Sequence, residues 1–377
     1  MPNLKLGIVG LPNVGKSTLF NALTEAEADA ANYPFCTVDP NVGVVELPDE
    51  RLDLLYDRVR PQARVPATVT FVDIAGLVEG ASHGEGLGNK FLANIREVDA
   101  ILHVVRCFQD DDVTHVLGEV DPVRDREIIN TELALADLQA MERRLDKVEK
   151  VARSGDREAQ QEEALLRRLV AVLARGQPAR LVRPANPVEE RLLRSYQLLT
   201  SKPELYVANV GEDEIVTTTD EGRAGDGNPH VRALRAAIEA DHEPAEVVAL
   251  AAGMEAEILA LDPGERQEYL EAHGLTEPGL HRLIRAGYRL LGLISFFTTG
   301  PKEVRAWTIP RGTPAVQAAG EIHSDFERGF IRAETIAWDD FVAAGSERAA
   351  REQGLMRSEG RDYVVRDGDI ILVRFNV

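Results

Sequence analysis

The sequence predicts an α/β protein in which a parallel sheet carries a phosphate-binding loop, a helical hairpin interrupts that sheet, and a small α+β domain follows it. Three observations predict this. Short apolar runs recur at residues 4–9, 68–73, 100–105, 205–209 and 247–251, separated by helical patterns and turn residues, the texture of buried parallel strands. Between residues 130 and 199 a 3-4 apolar spacing replaces that texture. After about Thr298 it changes again, to short strand-like stretches divided by turns.

Length and charge bound the function. At roughly 100–200 residues per domain, 377 residues imply two or three domains. A chain with 44% apolar, 28% charged and 5% aromatic residues suits a globular enzyme or switch rather than a fibre or a disordered chain. Acidic residues outnumber basic ones 63 to 43, giving a net charge of −20, which disfavours nonspecific attraction to nucleic acid or anionic membranes. No segment approaches the roughly 20 apolar residues of a membrane span, and the N-terminus runs into strand texture without a signal region. Cys36 and Cys107 are too few for a disulfide framework and are not spaced as metal ligands. A cytoplasmic protein with no membrane partner is expected.

The first strand feeds Gly10-Leu11-Pro12-Asn13-Val14-Gly15-Lys16-Ser17, which fits G-x-x-x-x-G-K-[ST] and sits between a strand and a predicted helix at 18–24. A random chain of this length holds the pattern about one time in a hundred, given ordinary glycine usage. Successive N–H groups of such a loop and its helix N-terminus cradle phosphates, Lys16 reaches the β and γ phosphates, and the Ser17 hydroxyl is a Mg2+ ligand. At the end of the 68–73 strand stands Asp73-Ile74-Ala75-Gly76. An Asp there acts on Mg2+ through water and the Gly N–H meets the γ phosphate. Between the two motifs Thr37 is the candidate that completes the metal shell.

The inserted segment places Leu138, Met141, Leu145, Val148 and Ala152 on one stripe; Ser154-Gly155-Asp156 breaks it, and Leu166, Leu169 and Leu173 resume it, predicting an antiparallel helical hairpin. Residues 220–229, glycine-rich and nearly without apolar side chains, predict a mobile loop. In the last part, strands are predicted at 304–309, 330–336, 363–365 and 370–375, with a helix from Trp338 onward. Lys302, Arg305, Arg311, Arg328, Arg332, Arg366 and Arg374 recur there beside Trp307, Phe326, Phe330 and Phe375. Basic and aromatic residues together make RNA-binding faces, but carboxylates are interleaved at similar density, so the residues alone read as an ordinary mixed surface.

The loop ending GKST and the segments NYPFCTVDPNVG, DIAGLVEGASHGEGLGNKFL, NTELALADL, KEVRAWTIP and HSDFERGFIRAETI together resemble the YchF, or Obg-like ATPase, family of translation-factor-class P-loop NTPases. The resemblance covers essentially the whole chain. It implies a G-domain fold at 1–129 and 200–297, a coiled-coil arm at 130–199, and a C-terminal TGS domain of β-grasp type at 298–377. It also implies ATP hydrolysis to ADP and phosphate, coupled to ribosome or ribosomal-subunit binding by a chain expected to be monomeric. A GTPase or dual-specificity enzyme, and a nucleotide-gated adaptor with incidental hydrolysis, are the open alternatives.

Two departures from an ordinary GTPase bear on the chemistry. Guanine selection uses Asn-Lys-x-Asp, whereas here the strand at 205–209 leads into Asn209-Val210-Gly211-Glu212. Without the lysine, and with a longer carboxylate, the geometry that rejects adenine is not supplied. Val210 would then offer its backbone to the adenine amino group, with Asn209 and Glu212 shaping the loop. The expected nucleotide-binding set is Asn13, Val14, Gly15, Lys16, Ser17, Thr18, Asn209, Val210 and Glu212. Second, Leu77 stands where many GTPases place a glutamine that orients the attacking water. Three compensations are open: K+ held at Asn13, as the match to potassium-dependent members of the wider class suggests; His115, which the family match supports; and His83. Lys16, His115 and Gly76 are the expected catalytic residues.

Overall fold

The computed structural model describes residues 4–25, 41–74, 87–110, 112–215 and 224–376. The strands are β1 (Lys5–Val9), β2 (Val42–Glu46), β3 (Ala63–Val65), β4 (Thr68–Asp73), β5 (Ala100–Arg106), β6 (Glu204–Asn209), β7 (Glu246–Leu250), β8 (Leu293–Thr299), β9 (Glu303–Pro310), β10 (Phe330–Ile336), β11 (Arg357–Glu359) and β12 (Ile370–Phe375). The α-helices are α1 (Lys16–Glu25), α2 (Glu50–Val59), α3 (Leu87–Arg96), α4 (Pro122–Ala152), α5 (Arg157–Leu173), α6 (Pro187–Tyr196), α7 (Pro229–Ala240), α8 (Ala252–Ala260), α9 (Pro263–Ala272) and α10 (Gly279–Leu290). They continue as α11 (Ala315–Ile322), α12 (Ser324–Arg328), α13 (Trp338–Ala344) and α14 (Glu347–Glu352). The chain divides into two compact units, one of residues 5–43 and 71–282, the other of residues 1–4, 44–70 and 283–377.

The first sheet has the order β2-β4-β1-β5-β6-β7. β1 and β5, β5 and β6, and β6 and β7 pair in parallel, with Val9 opposite His103, Arg106 opposite Asn209, and Asn209 opposite Leu250. Every residue of β5 and β6 is buried, so these strands read as continuous apolar runs. From β1 the chain builds toward β4 and β2 on one side and β5, β6 and β7 on the other. This reversal beside β1 puts the phosphate loop at the carboxyl edge where α/β sheets bind ligands.

The inserted stripe forms the distal part of α4, a helix of 31 residues. Asp121 caps it, accepting from the Val123 and Arg124 amides at 3.1 Å each, and Pro122 stands at its first turn. Gly155, at φ 92°, turns the chain, and Asp156 caps α5 through the Ala159 amide. Met141, Leu165, Leu166, Leu169 and Leu173 form the hairpin core, with Leu138, Leu145 and Val148 packed against it. The helix begins eight residues before the expected start at 130, because its first turns are core of the nucleotide-binding unit: Ile129 and Leu133 are buried. Asp137 accepts from the Leu199 and Thr200 amides and the Thr200 hydroxyl.

The second unit is built on a sheet of order β11-β10-β12-β8-β9-β3. β8 and β9 are antiparallel, with Leu293 opposite Pro310, while β12 returns parallel to β8. Strand, strand, helix, then a last strand beside the first is the β-grasp arrangement. Phe296, Trp307, Ile309, Ala318, Phe330 and Ile371 form its core. Residues 44–70, expected within the nucleotide-binding part, fall in this unit; of their strands, β3 joins its sheet through parallel pairing with β9. The expected strand at 363–365 is reduced to an isolated bridge between Pro314 and Val364. Among the described residues no helix is long and apolar enough to cross a membrane.

Candidate functional site

β1 ends at Val9 and the chain turns through the glycine-rich loop into α1. A Cβ on Gly10 would stand 2.5 Å from the Val104 carbonyl oxygen, so glycine lets the loop lie against β5. Asn13 and Gly15 take left-handed backbone at φ 61° and 94°, conformations that these two residue types adopt at least cost and that help turn successive N–H groups toward one anion.

Asn209, at the end of β6 and 4% exposed, braces this loop. Its Nδ2 donates to the Val14 carbonyl at 3.0 Å and its Oδ1 accepts from the Ala252 amide at 3.0 Å. A Cβ on Gly15 would lie 2.2 Å from that Nδ2. The loop is thus held from β6 and α8 as well as from its own strand, which fixes its donors before any ligand is met.

Lys16 opens α1 with its Nζ donating to the Leu11 carbonyl at 3.0 Å. Burial lowers its pKa below the usual lysine value, and the negative Asp73 opposes that shift. Asp73 ends β4, neighbour of β1 in the sheet; burial raises its pKa and Lys16 opposes. Its amide donates to the Asn41 carbonyl at 2.9 Å. Among the described residues its buried Oδ1 has no hydrogen-bond partner, an arrangement that calls for a further donor. Ser17 and Thr18 are exposed on the first turn of α1. A hydroxyl on the first turn of α1 and a carboxylate at the end of β4 are the hard oxygen groups that suit Mg2+ or its bound water. Thr37, Gly76, Leu77, His83 and Cys36 lie outside the described residues, as do 220–223 of the glycine-rich loop.

On the base side, the Val210 side chain is core, packed with Val105, Cys107 and Ala208, and its amide donates to the Leu250 carbonyl at 3.0 Å. Glu212 opens a short turn and is exposed. Asn228 ties the loop back, donating to the Cys107 carbonyl at 2.8 Å and the Glu214 carboxylate at 2.9 Å.

His115 is 5% exposed. Its Nδ1 accepts from the Leu117 amide at 3.1 Å and its Nε2 lies 2.8 Å from Asp125 Oδ2. The residue before it touches the phosphate loop, since Asn13 Nδ2 donates to the Thr114 carbonyl at 3.2 Å. Two residues with no motif signature also organise this segment. Arg106 gives its guanidinium to the Phe108, Asp110 and Val113 carbonyls, and Asp125, in the first turn of α4, reads in sequence as a helix-dipole carboxylate. The one available signal is an Arg ending a strand that is apolar apart from His103, a position that needs buried acceptors.

A strand, a braced G-x-x-x-x-G-K-S loop and an Asp at the neighbouring strand end define a P-loop NTPase. Residues 5–148 match the family described as "50S ribosome-binding GTPase". Residues 293–376 match the YchF GTPase C-terminal family, described as "Protein of unknown function (DUF933)". The chain is 54% identical over 373 residues to "Ribosome-binding ATPase YchF" of Haemophilus ducreyi, covering 99% of each chain. It is 46% identical over 376 residues to "Obg-like ATPase 1" of Rattus norvegicus, covering 99% of this chain and 93% of that one. The solved structure of the Schizosaccharomyces pombe YchF GTPase superposes with a TM-score of 0.88 at 37% identity, over 99% of this chain and 98% of that chain. The chain belongs to the YchF family.

Proposed function

We propose that this protein is a cytoplasmic, ribosome-associated, Mg2+-dependent ATPase that hydrolyses ATP to ADP and phosphate and uses its nucleotide state as a switch in translation. The carrying observation is a preorganised phosphate loop beside a base loop, Asn209-Val210-Gly211-Glu212, that lacks the lysine and aspartate of guanine selection. The names of the bacterial relatives, "Ribosome-binding ATPase", support the substrate and the partner.

In this reading the loop N–H groups and Lys16 stabilise charge on the transferred phosphate, and that charge favours the ammonium that burial disfavours. Ser17 and Thr37 would hold the metal, and Asp73 Oδ1 would accept a hydrogen bond from its hydration shell; the chemistry supplied there would be positive charge against the phosphate oxygens. Gly76 meets the γ phosphate through its N–H. Val210 accepts the adenine amino hydrogen with its carbonyl, and Glu212 closes the base loop. The Leu77 side chain has no hydrogen-bonding group, so His115 orients the attacking water, and Asn13 would hold a K+ that supplies further positive charge. His115 must first leave its bonds to Leu117 and Asp125.

Equilibrium binding of ATP and GTP at matched Mg2+ tests the substrate assignment. ATP should bind about tenfold more tightly or better, the discrimination expected where guanine's partners are missing; tighter GTP binding would make the protein a GTPase. Single-turnover hydrolysis by His115→Ala tests the water-orienting role: a loss of about 100-fold with unchanged ATP affinity is expected, and an unchanged rate removes His115 from the mechanism.

A further inference from the structure

Both nitrogens of the His115 imidazole are engaged, Nε2 by Asp125 of α4 and Nδ1 by the Leu117 amide of its own loop. We infer that Asp125 is a positioning residue, a latch that holds His115 away from the attacking water and ties its release to displacement of the arm helix. The inference rests on the reading of His115 as the water-orienting group.

The hydrogen bonds set the resting state of the ring. Nδ1 accepts from the Leu117 amide, so in the neutral ring the proton sits on Nε2 and is donated to Asp125 Oδ2 at 2.8 Å. Neither nitrogen then serves water. Asp125, 1% exposed, is itself fixed: its Oδ1 accepts from Arg124 Nε at 3.2 Å and Nη2 at 3.0 Å, and Arg124 Nη2 also donates to the Glu119 carbonyl at 2.7 Å.

The backbone around His115 is held independently of the latch. Arg106 fixes carbonyls of residues 108, 110 and 113, its guanidinium lying 4.3 Å from the Phe108 ring centroid. Asn13 fixes the Thr114 carbonyl to the phosphate loop. With the bond to Asp125 broken, the Leu117 amide alone holds the ring, and the backbone that carries it already stands at the phosphate loop.

Asp125 also connects this site to the arm. It sits in the first turn of a helix that runs unbroken to Ala152, about 46 Å at 1.5 Å per residue. Beyond Asp125 the helix is pinned to the same unit by Arg126, which binds Tyr206, Asp241 and Glu243, and by Asp137, which binds residues 199 and 200. The first turn, with Asp125, lies on the far side of these pins from the distal hairpin, so a displacement carried along the helix reaches the latch only by loosening the Arg126 bonds next to it. A shift of about 1 Å there takes the Asp125–His115 bond beyond hydrogen-bonding range.

The test is ATP hydrolysis by Asp125→Ala and the near-isosteric Asp125→Leu, neither of which keeps an acceptor for Nε2–H, with and without ribosomes. Single-turnover rates without ribosomes should rise about fivefold or more, the reciprocal of the fraction of His115 already released in the wild type. ATP affinity should be unchanged, ribosomal stimulation should fall by the same factor, and the gain should vanish when His115→Ala is added. Diethylpyrocarbonate labelling, localised by peptide mass spectrometry, should find His115 protected in the free wild type and reactive in Asp125→Leu and in the ribosome-bound wild type. Should one variant fail to fold, the other and the wild-type labelling decide. An Asp125→Leu rate at or below wild type, or His115 labelling unmoved by ribosomes, overturns the latch. If His115→Ala alone leaves hydrolysis unchanged, the water-orienting reading fails first; if it abolishes hydrolysis while Asp125→Leu behaves as wild type, only the latch fails.

Discussion

Asn209 shows how one amide serves two elements. Its donor holds the Val14 carbonyl and its acceptor holds the Ala252 amide, so truncation removes the partner of two backbone groups at once. Asn209→Ala should cost about 1–3 kcal/mol of stability and weaken ATP binding about tenfold or more by loosening the loop, with the rate of the bound complex far less affected. Calorimetric titration beside single-turnover kinetics separates these effects; a rate loss without an affinity loss would place Asn209 in the chemical step instead. At this scale the sequence was legible wherever a residue type is demanded by a motif. Lys16, Ser17, Asp73 and Asn209 announce themselves by spacing. Arg106 and Asp125 do not, because their roles depend on carbonyls and an imidazole that come together only through β5 and α4. Val210 was legible only in part: its position in the loop could be read, but not that its side chain would be drawn into the core of β5 and β6.

Legibility among the elements followed burial. β5 and β6 are buried along their whole length, and their apolar runs stand out. β3 is three residues long with two exposed, so neither alternation nor an apolar run marks it, and only its pairing with β9 makes it a strand. β11 is equally short. In the sheet that β11 joins, Glu334 of β10 gathers Arg374, Arg332 and Arg351 at 3.0–3.1 Å. The hydrogen bond from Arg374 first, then those from Arg332 and Arg351, pull its carboxyl down to about 2, against the opposing effect of burial. Because the folded value lies below the ordinary 4.5, the contribution is present above pH 4.5 and is lost as pH falls toward 2. The three arginines are about half exposed, so screening limits the effect, and Glu334→Gln should cost about 1–2 kcal/mol at pH 7. The chain's two tryptophans, Trp307 and Trp338, both belong to this unit, and urea unfolding followed by their fluorescence reports on it directly. The gap between wild type and variant should close as pH is lowered from 5 to 2; a gap independent of pH would mean that packing, not ionisation, holds the cluster.

For the molecule as a whole, a net charge of −20 must be reconciled with a proposed ribosomal partner that is largely polyanionic RNA. Binding to nucleic acid strengthens with each phosphate neutralised, and log K falls with log salt by about 0.7–0.9 per contact. An acidic chain gains little from diffuse attraction, so its contact must be made by a small set of cations or by ribosomal protein. The arginines around Glu334 illustrate the constraint, because three positive charges meet Glu334 with Glu347 beside Arg351, and the cluster keeps a surplus of one charge within an acidic whole. Cosedimentation with ribosomes across a salt series, in ATP and in ADP, should therefore give a shallow slope of about −1 to −3, where a protein making 6–10 phosphate contacts would fall far more steeply. The ATP and ADP lines should be displaced in affinity but parallel, because the nucleotide changes how well the surface is presented and not how many phosphates it meets. A slope near −10 would show an extended RNA-binding face that the composition argues against. Coincident ATP and ADP lines would show that the phosphate site has no influence on ribosome binding, and the switch would then lose its proposed output while the ATPase assignment stood.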